Sequence, residues 1–532
     1  VKSASDALPD LEQLGVNELR TLLRQQHADL LSHKAEIEAL KLQILKLRRL
    51  QFGQRSEKRA RQIEQLELWV EELEASDAQF TGTLAETAPA PTAPRTRREF
   101  GAHLPRETQV IAPAEQACPE CGGALKHLSD DVSETLELEP VRFKVIRHVR
   151  PKLACATCDT IVQAPAPTRP IERGMAGPGL LAHVLVGKYG DHLPLYRQAE
   201  IYAREGVDLH RSLLAQWVGM TSALLAPLTE ALRKHVFAAD VVHADDTPIP
   251  VLAPGNGKTK TGRLWTYVRD ELPAGGEAAP AVWFAYSADR KGEHPQRHLR
   301  EFAGILQADG YSGFSKLYDG GRVLEAACWA HVSRKFVDLH ELHKSPVAAQ
   351  ALDRIGALYA IEQQIRGRPP DERRAVRQER SRPLLDGLRS WFEQTLASLS
   401  QKSATAKAIR YALSRWEALG RYCEDGRVEI DNNAAERALR CVALGRKNFL
   451  FAGSDAGGDR AAAFYSLIGT AKLNGHNPEA FLREALTRIG EHPISDIAEL
   501  LPWNMKPKLP ESKAHEAALV LCASVQSGTC LV

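Results

Sequence analysis

The run Val241-Val242-His243-Ala244-Asp245-Asp246-Thr247-Pro248 reads as a short apolar strand ending in acid. The chain around it changes from helical to strand periodicity. Leu264 to Val268 and Val282 to Tyr286 read as two more strands, joined by Gly/Pro-rich turns. A helix from Pro295 to Phe302 precedes a fourth strand, Gly304 to Asp309, and Arg322 to Cys328 supplies a fifth. Gly255-Asn256-Gly257-Lys258-Thr259 is not a phosphate-binding loop, because Leu252 stands where that motif needs its first glycine.

Three strands, helix, strand, helix, strand is the order of a ribonuclease H-like α/β fold. Asp245 and Asp309 each close an apolar strand, where ligand and metal sites collect in α/β sheets. Glu436 lies on a helix in Asp431-Asn432-Asn433-Ala434-Ala435-Glu436-Arg437. Two aspartates and a glutamate make a hard oxygen pocket suited to two Mg²⁺ ions, with Mn²⁺ as a substitute. Such ions clamp the attacking and leaving oxygens of a phosphoryl displacement, with water or a DNA 3′-hydroxyl attacking. Each acid alone also fits a turn or a helix cap. Asp246 faces the other way from Asp245 on a strand, so Asp245 is taken as the site residue. Cys328 and His331 of Cys328-Trp329-Ala330-His331 offer too few ligands for a metal and read as a packed thiol with a hydrogen-bonded imidazole.

Between Asp309 and Glu436 the spacing is too long for one strand and one helix, so a helical insertion is expected at about 332–422. It carries Arg366, Arg368, Arg373, Arg374, Arg377, Arg380 and Arg382, either a phosphate-binding patch or a solvated helix face. On the N-terminal side, residues 175–235 read as all-helical. Pro194–Arg204, a turn at Gly206, and Leu209–Met220 form a helix-turn-helix, with Arg211 on its second helix. Before it, Cys118-Pro119-Glu120-Cys121 and Cys155-Ala156-Thr157-Cys158 present four thiolates to one structural Zn²⁺, giving a zinc ribbon at 111–165. Inside the ribbon, Val141, Phe143 and Val145 alternate with Arg142 and Lys144, and Arg147 follows: a strand with one apolar and one basic face. Residues 76–110, with Ala88-Pro89-Ala90-Pro91, form a basic Pro/Ala-rich linker.

Residues 11–75 open with Leu19, Leu23, Gln26, Leu30, His33, Ile37, Leu40, Ile44 and Leu47 stepping by fours and threes, the seam of a parallel coiled-coil dimer or a helix packed on its own domain. A C-terminal helical region spans 461–510, and 511–532 forms a tail. The fold class is therefore multidomain α+β, with the catalytic domain at 238–460.

With 532 residues, 44% hydrophobic and 26% charged, the chain has a globular composition. A net charge of +2 gives no global field, so basic surfaces must be local. No stretch is long enough to span a bilayer, and the first residues lack the apolar core of a secretion signal. Nine cysteines are too sparse for a disulfide scaffold. A cytoplasmic, nucleoid-associated protein is expected, with no membrane partner.

The residues together resemble the insertion-sequence-66 transposases, a bacterial group of the DDE recombinase superfamily. The resemblance runs from about residue 15 to 503. It rests on Phe52-Gly53 with Ser56-Glu57-Lys58, the Cys118–Cys158 ribbon, His243-Ala244-Asp245-Asp246-Thr247-Pro248, Asp309-Gly310-Tyr311, Cys328-Trp329-Ala330-His331, Asp431-Asn432-Asn433 with Glu436-Arg437, and Glu499-Leu500-Leu501-Pro502-Trp503. It implies a catalytic triad of Asp245, Asp309 and Glu436, with double-stranded DNA (terminal inverted repeats and target) as partner. It further implies strand cleavage and 3′-hydroxyl strand transfer, a homodimer or higher oligomer, and accessory proteins of the same element as candidate partners whose requirement the sequence does not decide. Arg142, Lys144, Arg147, Arg211, Arg373, Arg374, Arg377, Arg437 and Arg440 are the candidate DNA contacts. Asp246 departs from the Glu usual in similar proteins, and 511–532 matches nothing in them. A ribonuclease H-like nuclease, or a domesticated, inactive DNA-binding regulator, are the alternatives.

Overall fold

The structure, a computed structural model, describes residues 36–37, 39–41, 43–44, 66, 69–79, 100–139, 142–172, 174–252, 259–448 and 452–505. The heptad positions from Leu19 to His33 and at Leu47, most of the linker and the 511–532 tail lie outside the described residues.

A first sheet combines β1 (Arg106–Val110), β2 (Leu125–Glu139), β3 (Arg142–Cys155) and β4 (Ile161–Gln163) in the order β1-β3-β2, with β4 beside β3. β1 falls inside the expected linker and pairs parallel with Val145–Val149, so the linker reading does not hold for its last residues. β2 has no counterpart in the sequence reading. Its Ser129-Asp130-Asp131-Val132-Ser133-Glu134 run lacks apolar alternation, and its acids are explained by β3. Glu134 lies across from Arg147, Asp131 binds Arg150, and Glu107 on β1 binds Lys144 at 2.7 Å. The basic face of β3 is thus largely matched by neighbouring carboxylates. Phe143 and Val145, on the apolar face, join Leu136 and Leu138 in the main core.

A second sheet contains β5 (Val241–Leu252), β6 (Thr259–Arg269), β7 (Ala281–Ser287), β8 (Gly304–Gln307) and β9 (Val323–Ala326), in the order β7-β6-β5-β8-β9. β5, β6 and β7 are antiparallel neighbours, whereas β8 and β9 run parallel to β5 and to each other. Asp245 does not end its strand. β5 continues to Leu252 because Thr247–Leu252 pairs with Thr259–Leu264. Asp309 does follow the end of β8. The free edge of β7 is closed by the Asp455–Leu473 helix, whose Ser466 Oγ accepts from Phe284 N at 2.7 Å and whose Thr470 Oγ1 bonds both N and O of Val282 at 3.1 Å.

Alternation along β5 sorts its side chains to two cores. Val242 and Ala244 pack in the main core, with the helices Pro178–Tyr189 and Ala226–Phe237. Val241 faces a separate core built by the insertion helices Trp329–His343, Pro346–Ile365, Arg382–Ser398 and Ala404–Leu413. Helices Leu195–Arg204 and Arg211–Leu224 flank a turn in which Gly206 takes φ +78°, a left-handed conformation that favours glycine.

Arg373 and Arg377 do not form a phosphate patch. Their side chains are 1% and 0% exposed. Arg377 binds Glu362 through Nε (2.8 Å) and Nη2 (2.6 Å) and donates to the Tyr422 and Val428 carbonyls. Arg373 binds Glu429. Arg373 on the Pro370–Val376 helix and Arg377, which opens the π-helical turn Arg377–Ser381, both point inward, while Arg374 stays exposed.

The described positions of the expected coiled-coil seam are covered within the chain. Ile37, Leu40 and Ile44 cluster with Val70 and Leu73 of the helical residues 69–79. That helix is itself sunk into the body. Glu72 binds Arg460 at 2.7 Å and Lys188 at 3.3 Å, and a Cβ at Gly219 would lie 1.9 Å from Ala75 O. Among the described residues no helix is long and apolar enough to cross a membrane.

Candidate active site and metal centres

Asn432 ties the site together. Fully buried, it donates from Nδ2 to Ala244 O (2.8 Å), accepts through Oδ1 from His243 Nδ1 (3.1 Å), and donates from its backbone N to Cys328 Sγ (3.1 Å). One residue, through its side chain and its backbone N–H, therefore fastens the Asp431-Asn432-Asn433 turn to β5 and to the start of the insertion. Asp431 takes the local turn role, accepting from Asn433 N at 3.1 Å. The helix Asn433–Ala438 then carries Glu436 to the β5 face that holds Asp245.

Asp245 is pushed up to about 7, first by burial and then by the charges of Asp309, Asp246 and Glu436, against the pull of a 2.7 Å bond from Asp246 N. Asp309 and Glu436 are therefore both within electrostatic reach of Asp245. This repulsion is the signature of a place for cations. Asp309 accepts from Tyr311 N at 2.9 Å, and its peptide carbonyl accepts from Tyr411 OH at 3.2 Å. Glu436 Oε2 accepts from Arg334 at 3.3 Å, whereas its Oε1 is buried with no hydrogen-bond partner among the described residues. An orphaned carboxylate oxygen and an aspartate that resists ionisation both fit a divalent cation.

Asp246 has a different job. Its side chain is 1% exposed and binds Arg263 (2.8 Å) and Arg290 (2.7 Å). Arg290 also lies 4.0 Å from Asp309 Oδ2 and stacks 4.0 Å from the Tyr311 ring centre. Sequence reasoning missed Arg290 and Asn432. The first is an isolated arginine after a strand, and only the fold brings it to the acids. Arg437 and Arg440 are exposed beside Glu436, with Arg437 3.7 Å from Asp270.

In the ribbon, Cys118, Cys121, Cys155 and Cys158 converge with all four sulfurs within 4.8 Å of one another and closest pairs at 3.3–3.4 Å. Four sulfurs at ~2.3 Å from one zinc would be separated by ~3.8 Å, so a small inward-outward adjustment seats the ion. Gly122 takes φ +69° in the first knuckle, and a Cβ at Gly123 would lie 3.0 Å from Cys155 Sγ. Backbone N–H groups of Thr157 and Cys158 pull Cys155 down to about 6, favouring thiolate. The donor set suits zinc.

The family model described as the Transposase IS66 family matches residues 173–460. The chain belongs to the IS66 transposase family. Three further models of this family match: the zinc-finger binding domain over 115–159, the C-terminal element over 466–503, and, over 39–108, a segment described as Transposase C of IS166 homeodomain, a leucine-zipper model. The chain is similar to the uncharacterized protein y4hP of Sinorhizobium fredii, 44% identical across 92% of this chain and 91% of that one. It is also similar to y4qI of the same organism, at 42% identity across 87% and 88%. As an IS66 transposase the chain falls in a family of phosphoryl-transfer enzymes that act on DNA, and its leucine-zipper region suggests oligomerisation.

Proposed function

We propose that this chain is a DNA transposase that cleaves the ends of its element and joins the freed 3′-hydroxyls to target DNA, using Asp245, Asp309 and Glu436. The observation that supports the reading is the placement of Asp245 on β5, Asp309 after β8 and Glu436 on the helix fastened to β5, with Asp309 and Glu436 both acting on Asp245, on a sheet ordered β7-β6-β5-β8-β9, the order of a ribonuclease H-like fold. When bound there, two Mg²⁺ ions would supply activation of the attacking oxygen and stabilisation of the leaving one. The chain's own residues prepare the place. Asn432 fixes the Glu436 helix against β5, and Tyr311 N and Tyr411 OH hold the Asp309 turn. Asp246 anchors Arg290 beside Asp309, setting a cation where a scissile phosphate would arrive.

Duplex DNA would be gripped by exposed cations: Arg437 and Arg440 near Glu436, Arg374 on the insertion and Arg142 on the ribbon. The helix-turn-helix from Leu195 to Leu224 is the proposed reader of the terminal repeats. Because Ile37, Leu40 and Ile44 are covered in-chain, a dimer or higher oligomer would use the remaining heptads or exchange this packing between chains. Accessory proteins of the same element, and action on the bacterial nucleoid, belong to the same reading. Purified full-length protein incubated with labelled element ends, a target plasmid and Mg²⁺ should yield joined products. Nicked ends with no joining under any divalent metal would instead favour a simple nuclease.

A further inference from the structure

Cys328 is separated from β9 by one residue and stands at the N-cap of the Trp329–His343 helix, and His331 lies in that helix's first turn. In sequence they offer only a thiol and an imidazole. The fold adds a carboxylate: one ligand atom each from Cys328, His331 and Glu436 lie within 4.8 Å of one another. Three details show that the cluster is more than chance proximity. Glu436 Oε1 lacks any hydrogen bond and stands 3.8 Å from His331 Nε2, too far to bond it. Two ligands at ~2.0–2.2 Å from a tetrahedral ion would stand ~3.4 Å apart, so a cation fits between them with little movement. Outside this pair, Arg334 occupies Glu436 Oε2, orienting the carboxylate, and Asn432 N–H points at Cys328 Sγ, orienting the thiol; burial pushes the free thiol up to about 11, so an arriving ion must displace its proton.

We propose that Cys328, His331 and Glu436 form a second zinc-type site, with three protein ligands and a fourth position open to water. A sulfur, nitrogen and oxygen set is softer than the all-oxygen pair Asp245 and Asp309, so it selects Zn²⁺ over Mg²⁺. Glu436 belongs to both sets. With its Oε1 committed to zinc it is withdrawn from the aspartates, and zinc becomes an inhibitor of Mg²⁺-dependent cleavage. That consequence rests on the function proposed above; the metal site does not.

The test is a metal count on the full-length chain, stripped with chelator, reloaded with Zn²⁺ in Mg²⁺-free buffer and desalted. Wild type should hold two zinc ions per chain. Cys328→Ser and His331→Asn should each hold one, the ribbon ion. Cys158→Ser should also hold one, having lost the ribbon ion instead. Circular dichroism melts establish that each variant is folded, and the near-isosteric Cys328→Ser decides the matter if His331→Asn does not fold. One zinc in wild type, or two in folded Cys328→Ser, would overturn the proposal. In a cleavage assay, excess Zn²⁺ should lower the Mg²⁺-supported rate of wild type at least ~10-fold. If wild type does not cleave even with Mg²⁺ alone, the transposase reading fails while the zinc count stands.

Discussion

The ribbon's cysteines and the carboxylates near β5 are both donor sets that suit a metal, but they are assembled in opposite ways. The ribbon's ligands come in two tight pairs, and each knuckle fixes its own geometry through local bonds such as Cys118 N to Gly123 O (2.9 Å) and Gly122 N to Cys118 O (2.8 Å). The carboxylates come one at a time from the middle of β5, the turn after β8 and a helix beyond the whole insertion. They meet only because the sheet and Asn432 bring them together. A local site depends on its metal, while a topological site depends on its scaffold.

The largest expected difference lies in chemistry. Asp309→Asn or Glu436→Gln keeps shape but removes a charge, and cleavage should fall by roughly 10²-fold or more, the scale of losing one stabilising group at a reacting centre. DNA affinity in a gel-shift assay should change little. A ribbon mutation that cut the rate as steeply, with zinc and fold intact, would erase the contrast.

Next is metal removal. A chelator should open the knuckle end, residues 118–125 and 153–161, to hydrogen exchange. The Leu136–Val145 end should stay protected, because those side chains belong to the main core rather than to the zinc. Uniform loss of protection along β2 and β3 would show that the ribbon is a single metal-dependent unit.

Asp246→Asn tests the scaffold. Breaking a buried pair costs ~3–5 kcal/mol, and with Arg290 still 38% exposed a loss of about 2–3 kcal/mol is expected in denaturant unfolding. An unchanged midpoint would mean that Arg263 and Arg290 find other partners.

The smallest effect is on pH. Asp245 has its folded value raised from 3.8 to about 7, so its contribution to metal-free stability is fully present below 3.8 and lost as the pH rises through 7. A divalent cation must displace that proton at lower pH. Mn²⁺ affinity should therefore fall about tenfold per pH unit below 7 and level off above it, as calorimetric titration at several pH values would show. A flat profile from pH 5 to 8 would mean that Asp245 is not a ligand.

The same contrast explains what was legible in the sequence. Cysteine spacing gave the ribbon its ligands directly, and strand order gave the second sheet. β2 was hidden because its outward acids serve β3 and break the apolar alternation. The inward turn of Arg373 and Arg377 was hidden because their partners, Glu362, Glu429 and the Tyr422 carbonyl, come from distant segments. Strand alternation puts Asp245 and Asp246 on opposite faces, and Asp246 binds Arg263 and Arg290; the strand end expected at Asp245 is not what the fold uses, because β5 runs on to Leu252. The heptads were visible as an apolar stripe, but a stripe does not say which chain will cover it.

The central claim is that Asp245, not its neighbour, carries the chemistry. Strand transfer should be measured side by side for wild type, Asp245→Asn and Asp246→Asn, at a temperature where all three are folded, with DNA binding as the control. The account predicts no joined product from Asp245→Asn with binding retained, and measurable joining from Asp246→Asn. Joining by Asp245→Asn at the wild-type rate would contradict it.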